Sequence, residues 1–124
     1  MTDDRLPSVL IVDDHDGFRA FARKLLEAAG FTVTEAASGA EATKVADRVR
    51  PMLILLDIGL PDIDGFEVAR QLMGARQEGP IVVLTSTREA SDYGTQVTSS
   101  PAAGFLPKEQ LSGVALRSYL AGNG

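Results

Sequence analysis

Short apolar runs alternate with amphipathic segments along the chain, which is the pattern of an α/β domain. Runs of β-branched and aliphatic residues at 9–12, 31–34, 53–56 and 81–84 predict four strands, and a weaker run at 104–106 predicts a fifth. The first, third and fourth runs are apolar throughout. Such continuous runs are typical of strands in a parallel sheet that is covered on both faces.

The segments between the strands carry apolar residues at helical spacing. The second predicted helix covers Gly39 to Val49 and is closed by Pro51, and the third begins near Gly65. The first ends before Gly30, and the fifth runs from about Leu111 to Leu120. The apolar positions are Phe18, Phe21, Ala22, Leu25, Leu26 and Ala29 in the first helix, Ala42, Val45, Ala46 and Val49 in the second, Phe66, Ala69, Leu72 and Met73 in the third, and Val114, Ala115 and Leu116 in the fifth.

The segment between the fourth and fifth strands is the exception. It contains Gly94 and a run of Thr and Ser residues, which are poor helix formers, and it stops at Pro101. We therefore expect a short or irregular fourth helix within 90–100. Five strand–helix units with right-handed crossovers predict an α/β fold, a (βα)₅ doubly wound parallel sheet with the flavodoxin-like strand order 2-1-3-4-5.

Composition narrows the class of protein. The chain has 124 residues, no cysteine and a formal net charge of −5, with a pI near 4.7. The length suits one domain over 1–124 with a core of about 7–121, and the missing thiols exclude disulfides and cysteine chemistry. The acidic balance argues against direct nucleic-acid or membrane binding, and no apolar stretch is long enough for a membrane helix. We expect a soluble, cytoplasmic domain.

Polar residues stand where the predicted strands end. Asp13 and Asp14 follow the first strand, Asp57 the third, Thr85 the fourth, and Lys108 comes shortly after the fifth. In an open parallel sheet the ligand crevice lies at these carboxyl ends. Three converging carboxylates would repel one another unless a cation neutralised them. A set dominated by carboxylates, without cysteine and with one histidine, suits Mg²⁺ or Mn²⁺ rather than zinc.

The same arrangement suits phosphoryl transfer. A metal ion, the Lys108 ammonium and the Thr85 hydroxyl would surround Asp57 with positive charge and donors. An ionised carboxylate can attack phosphorus without a separate base. Asp57 is therefore the candidate acceptor of a phosphoryl group.

Four motifs, in order and over essentially the whole chain, resemble the receiver domain of two-component response regulators. They are Val-Asp-Asp at 12–14, Leu-Leu-Asp-Ile-Gly-Leu-Pro-Asp-Ile-Asp-Gly at 55–65, Val-Leu-Thr-Ser at 83–86 and Gly-Phe-Leu-Pro-Lys at 104–108. The resemblance implies a signalling phosphoacceptor that catalyses only its own phosphotransfer and autodephosphorylation. It also implies a histidine kinase or phosphotransfer protein as the phosphodonor, and it does not identify the downstream target.

The resemblance implies a role for each matching residue. Asp57 would be phosphorylated. Asp14, Asp57 and the main-chain carbonyl of Gly59 would bind Mg²⁺ directly, and Asp13 would bind it through water. Thr85 would hydrogen-bond the phosphoryl group and Lys108 would pair with it, while Phe105 would be either the switch aromatic or a plain core residue.

Other interpretations stay open for single residues. Taken alone, Asp13 and Asp14 could cap the first helix. His15 is expected to be a loop or helix-start residue rather than a ligand. Gly59 has no side chain to reach a phosphoryl group, so the lifetime of the phosphorylated state does not carry over from the family.

Other functions also compete with the phosphoacceptor. An aspartyl-phosphate hydrolase would need a carboxylate at position 59, and a cofactor carrier would need a phosphate-binding loop where the chain has Asp13–Asp16. A receiver-like interaction module that is never phosphorylated is a further alternative. The chain ends soon after the fifth predicted helix without an output domain, so we expect either a stand-alone receiver or the N-terminal part of a longer DNA-binding regulator.

Overall fold

Five parallel strands form one sheet in the order β2-β1-β3-β4-β5. The structure, a computed structural model, describes residues 6–73, 79–88 and 90–121. The strands are β1 (Ser8–Val12), β2 (Thr32–Ala36), β3 (Leu53–Asp57), β4 (Ile81–Ser86) and β5 (Gly104–Pro107). The predicted fold class and strand order are confirmed.

Five helices connect or follow the strands: α1 (Asp16–Ala28), α2 (Gly39–Val49), α3 (Gly65–Met73), α4 (Gln96–Ser99) and α5 (Gly113–Leu120). Two short 3₁₀ turns, Ala90–Tyr93 and Lys108–Gln110, complete the described elements. None of these helices, within the residues described, is long and apolar enough to cross a membrane.

The two faces of the sheet carry separate apolar clusters. Alternate residues of β1 enter opposite clusters: Leu10 and Val12 face α2 and α3, whereas Val9 and Ile11 face α1 and α5. All four of these side chains are fully buried. The continuous apolar runs follow from this arrangement, because both faces of each inner strand are covered.

Three helices differ in detail from the sequence prediction. Phe21 in α1 is 56% exposed and Val114 in α5 is 81% exposed, although both were placed on apolar stripes. α5 begins at Gly113, because the hydroxyl of Ser112 accepts a hydrogen bond from the amide of Ala115 and caps the helix there. Val114 then lies in the first turn toward solvent, while Leu111 is buried ahead of the helix. Val49 is also partly exposed, at 38%, and it is the last residue of α2.

The expected irregularity of the fourth helical segment is confirmed. A 3₁₀ turn and a four-residue α-helix are separated at Gly94, whose φ is +61°. A left-handed residue cannot continue a right-handed helix, and glycine adopts this conformation without steric cost. The segment therefore breaks into two pieces.

Candidate functional site

The carboxyl ends of four strands meet at one edge of the sheet. Asp57 pairs in register with Thr85 across β3 and β4, and Thr85 pairs with Leu106 across β4 and β5. Asp13 continues β1 and donates its amide to the carbonyl of Ala36 at the end of β2. This topology places the predicted polar residues around a single crevice.

Three carboxylates and one ammonium come together there. Ligand atoms of Asp13, Asp14, His15 and Asp57 all lie within 4.8 Å of one another. Nζ of Lys108 is 2.6 Å from Oδ2 of Asp13 and 3.7 Å from Oδ2 of Asp57. Asp13 and Asp57 are buried, whereas Asp14 is partly exposed. Negative charge thus exceeds positive charge inside a largely buried cluster.

The pKa of Asp57 is raised above its ordinary value. Burial is the main cause, because it removes the carboxylate from water, and the negative charge of Asp13 adds to it. The amide of Gly59, which donates to Oδ1 at 3.2 Å, and the ammonium of Lys108 act in the opposite direction. The site therefore favours an additional cation.

The donor set fits a divalent ion of the kind that prefers oxygen ligands. Oδ2 of Asp13 is fully buried and accepts no hydrogen bond from the described residues, so the Lys108 ammonium is an ion-pair partner without hydrogen-bond geometry. One ammonium faces three carboxylates, so a divalent ion would balance the negative charge that remains. Asp13, Asp14 and Asp57 would hold such an ion. The carbonyl of Gly59 as a ligand stays a prediction.

Thr85 and Phe105 lie at the site, but among the described residues neither side chain is hydrogen-bonded to Asp57. The Thr85 hydroxyl donates to the carbonyl of Leu106 at 2.6 Å. The Phe105 ring is half-buried, with its centroid 6.1 Å from that of Tyr93. Tyr93 in turn packs edge-on against Phe66 at 5.9 Å.

A link between β4 and the 3₁₀ turn was missed by sequence reasoning. The hydroxyls of Ser86 and Tyr93 are hydrogen-bonded at 2.6 Å, and Ser86 also accepts from the amide of Arg88. Ser86 directly follows Thr85, so the bond joins the strand end at the site to the fourth helical segment. In the sequence, the only indication of this bond is the hydroxyl of Ser86 at the end of the Val-Leu-Thr-Ser motif.

Two loop contacts were also missed, because they join residues far apart in sequence. Asp62 accepts hydrogen bonds from the amides of Gly39 and Ala40 and caps α2 from the loop after β3. These amides lower the pKa of Asp62. Arg19 donates to the main-chain carbonyl of Asp13 at 2.6 Å and to Glu35 at 3.0 Å. The Arg19 contact anchors the segment that carries Asp13 and Asp14, and the Asp62 contact anchors the loop that follows Asp57.

Glycine is required at one position beside the acceptor. A Cβ on Gly65 would come within 2.5 Å of the Cα of Ile58 and 2.9 Å of the carbonyl oxygen of Asp57. The first turn of α3 therefore packs directly on the loop backbone. Gly59 differs, since a Cβ there would meet nothing closer than 3.9 Å, and the space beside Asp57 is open.

The helix-cap interpretation of the acidic pair does not hold. α1 is preceded by His15 at its N-cap, and no side chain caps that end. His15 is therefore a helix-start residue, as predicted. Its ring nitrogen Nδ1 also lies 3.0 Å from Oδ1 of Asp13 and 3.4 Å from Oδ1 of Asp14.

A cavity of about 500 Å³ opens beside the ammonium of Lys108. The Phe18 ring lies under this ammonium, with Nζ 4.5 Å from its centroid. The lining residues are His15, Phe18, Phe21, Thr87, Lys108 and Glu109. The cavity offers an approach to the acidic cluster from the α1 side.

Comparison with known families decides the class of this domain. Residues 9–118 match the family model described as the response regulator receiver domain. The chain belongs to this family. The receiver domains of two-component response regulators are signalling domains, so the predicted family and general role are confirmed.

Several bacterial regulators are similar to this receiver domain. A Pseudomonas aeruginosa protein named as a candidate transcriptional regulator is 41% identical over 121 residues, which cover 94% of the chain and 58% of the relative. AfsQ1, a transcriptional regulatory protein of Streptomyces coelicolor, is 40% identical over 70% of the chain and 38% of its own length. Response regulator MprA of Mycobacterium tuberculosis is 36% identical over 81% of the chain and 43% of its own length. The chain thus spans about half or less of the length of most of these relatives.

Solved structures share the whole fold. Chemotaxis response regulator CheY4 of Vibrio cholerae superposes with a TM-score of 0.81 at 25% identity and covers 96% of this chain and 99% of that one. The BeF₃-activated N-terminal receiver domain of Klebsiella pneumoniae RstA gives a TM-score of 0.81 at 24% identity, over 92% and 96% of the two chains. At this identity the second likeness establishes the fold alone.

Proposed function

We propose that this receiver domain accepts a phosphoryl group on Asp57 from a phosphohistidine of a histidine kinase or phosphotransfer protein, in a reaction that needs Mg²⁺ or Mn²⁺. The observation that carries the proposal is the position of Asp57. It is a buried carboxylate within 4.8 Å of two further carboxylates and 3.7 Å from the Lys108 ammonium. When Asp57 accepts a phosphoryl group, the added negative charge must be balanced by a cation in this environment.

The transfer is balanced without a protein base. An oxygen of the ionised Asp57 carboxylate attacks phosphorus, and the bond from phosphorus to the donor's imidazole nitrogen breaks. The imidazole leaves with the electron pair of that bond, and Asp57 becomes an acyl phosphate. A divalent ion held by Asp13, Asp14 and Asp57 would supply positive charge to the phosphoryl oxygens. Lys108 supplies the same from the protein side, and its small distance from both Asp13 and Asp57 supports this role.

The signalling step would begin at Thr85. Its hydroxyl donates to Leu106 in the present state. A phosphoryl group on the register neighbour Asp57 offers a more strongly charged acceptor, and charge-assisted hydrogen bonds are about twice as strong as neutral ones. Thr85 would then turn from β5 to the phosphoryl group. Phe105 would change rotamer as the strand end adjusts, as the family resemblance implies.

Intact-mass measurement with a small phosphodonor tests this function. We expect wild type to gain one phosphoryl group in the presence of acetyl phosphate and Mg²⁺, and to gain none when the metal is chelated. Asp57→Asn should gain none under either condition. Asp62→Asn is the matched control, because Asp62 lies in the same loop outside the carboxylate cluster, and it should still gain the group.

Two results would contradict the proposal. An Asp57→Asn protein that gains the same mass would place the phosphoryl group elsewhere. A wild type that is never modified, by acetyl phosphate or by histidine phosphodonors, would favour the alternative of a receiver-like module that acts without phosphorylation.

A further inference from the structure

We propose that His15 is a nitrogen ligand of the acidic site and makes this receiver domain prefer transition-metal ions such as Co²⁺ and Ni²⁺ over Mg²⁺. The inference rests on the metal site of the proposed function and concerns which ions that site selects. It goes against the expectation, drawn from residue types, that the histidine only begins a helix.

Two hydrogen bonds hold the imidazole over the carboxylates. The His15 amide donates to Oδ1 of Asp13 at 2.8 Å, and ring Nδ1 lies 3.0 Å from the same oxygen. Because a carboxylate oxygen only accepts, Nδ1 carries the proton of this second bond, and a metal ion that binds Nδ1 would release that proton to solvent. Because backbone and ring are tied to one atom, the ring is directed toward the crevice rather than along α1. Nδ1 is also 3.4 Å from Oδ1 of Asp14.

The distances place His15 in the same donor set as the acidic residues. Its ring nitrogen and one oxygen each of Asp13, Asp14 and Asp57 lie within 4.8 Å of one another, so one ion could contact all four. The Lys108 ammonium, 2.6 Å from Oδ2 of Asp13, balances only one of the three carboxylates, so negative charge beside the imidazole remains for a metal ion to neutralise. The imidazole is 67% exposed, so it can adjust to an ion without repacking the core.

An imidazole ligand changes which metal ions the site prefers. Mg²⁺ prefers oxygen donors and water, whereas imidazole nitrogen strengthens binding of Co²⁺, Ni²⁺ and Zn²⁺. Removing the ring should therefore weaken transition-metal binding and leave Mg²⁺ binding nearly unchanged. We expect the loss to be at least about tenfold, since even outer-shell partners of metal ligands are worth that much.

Calorimetric titration of the phosphate-free protein with NiCl₂ and with MgCl₂ tests the inference. His15→Asn is the informative variant, because its amide can still donate to Asp13 but offers no aromatic nitrogen. We expect at least about a tenfold weaker Ni²⁺ affinity and less than about a twofold change for Mg²⁺. The double variant His15→Asn/Ala28→His is the matched control, since it returns one imidazole to the far, exposed end of α1 and should not restore Ni²⁺ binding.

A spectroscopic measurement separates coordination from a merely structural role. His15 is the one histidine of the sequence, so every imidazole signal in an NMR spectrum belongs to it. Zn²⁺ should shift the Nδ1 resonance strongly, whereas Mg²⁺ should leave it near its metal-free position.

The outcomes distinguish a failure of the His15 ligand role from a failure of the metal site itself. Equal Ni²⁺ affinities for wild type and His15→Asn, or an Nδ1 resonance that Zn²⁺ does not move, would overturn the role of His15 while leaving the Mg²⁺ site and the phosphoacceptor intact. A wild type that binds neither ion would overturn both the inference and the metal dependence of the proposed function. Restoration of Ni²⁺ binding by the distant histidine would show adventitious surface binding and would also overturn the inference.

Discussion

The ionisation of Asp57 is the residue-scale property on which both stability and function depend. Burial and the neighbouring Asp13 raise its pKa, so the folded protein holds a proton there more tightly than the unfolded chain does. Where the native state binds more protons, stability falls as pH rises. As pH rises, the loss in the free energy of unfolding begins near the ordinary carboxyl pKa of about 3.9 and is complete above the raised native pKa. Above that raised pKa the metal-free fold therefore carries the full penalty.

Replacing this carboxylate should stabilise the metal-free protein. We expect Asp57→Asn to have a higher free energy of unfolding than wild type at pH 7, and the difference to shrink as pH falls toward about 4. Urea unfolding in the presence of a chelator at several pH values measures it. A variant that is less stable than wild type at pH 7 would contradict the electrostatic argument.

Asp62→Asn is a control of opposite sign. Two amides at the start of α2 lower the pKa of Asp62, so its contribution is present above the ordinary carboxyl pKa and is lost as pH falls through the lowered value. Its replacement should destabilise the protein at pH 7. The two variants should therefore move unfolding in opposite directions.

At the scale of elements, the fourth helical segment differs from the other helices in how little it buries. α4 has four residues and no buried side chain, whereas α1 has thirteen and buries Ala22 and Leu26. Tyr93 and Val97 reach the core only as half-buried residues. Little apolar burial offsets the helix-opposing sequence, so local opening should need little free energy.

Hydrogen exchange should reveal this difference. In the unphosphorylated protein we expect amides 91–99 to exchange much faster than amides 20–28 of α1. A phosphoryl mimic should slow them, because Ser86 and Tyr93 connect the segment to the strand that carries Thr85. Equal protection of the two segments before modification would show that packing outweighs the local preferences.

For the whole molecule, the carboxylates of the site are part of an acidic formal net charge of −5. A divalent ion that binds the native cluster and not the unfolded chain stabilises the fold by mass action. We expect millimolar Mg²⁺ to raise the melting temperature of wild type above that in NaCl of equal ionic strength. The salt control removes the general screening of charge.

Asp14→Asn provides the matched variant for this measurement. Asp14 is partly exposed, so its replacement leaves the core intact while removing one ligand and one repelling charge. The Mg²⁺-dependent rise should be smaller in this variant. Absence of any rise in wild type would mean that the acidic pair is not a metal site.

Local sequence was sufficient for the elements and for the composition of the site. Apolar runs indicate strands directly. Because strands that alternate with helices are parallel and end at one edge of the sheet, the sequence alone places Asp13, Asp57 and Thr85 at that edge. The bounds of α2 were also predicted, since Pro51 marks its end and the apolar stripe its length.

Tertiary structure alone decided which surfaces were left open and where each polar side chain pointed. Phe21 and Val114 have the spacing of buried residues, but the elements that could cover them lie elsewhere. The hydroxyl of Thr85 faces Leu106, and the ring of His15 lies among carboxylates. Helical periodicity specifies which residues share a face. Contacts between residues distant in sequence then determine what that face meets, and these contacts exist only after the chain has folded.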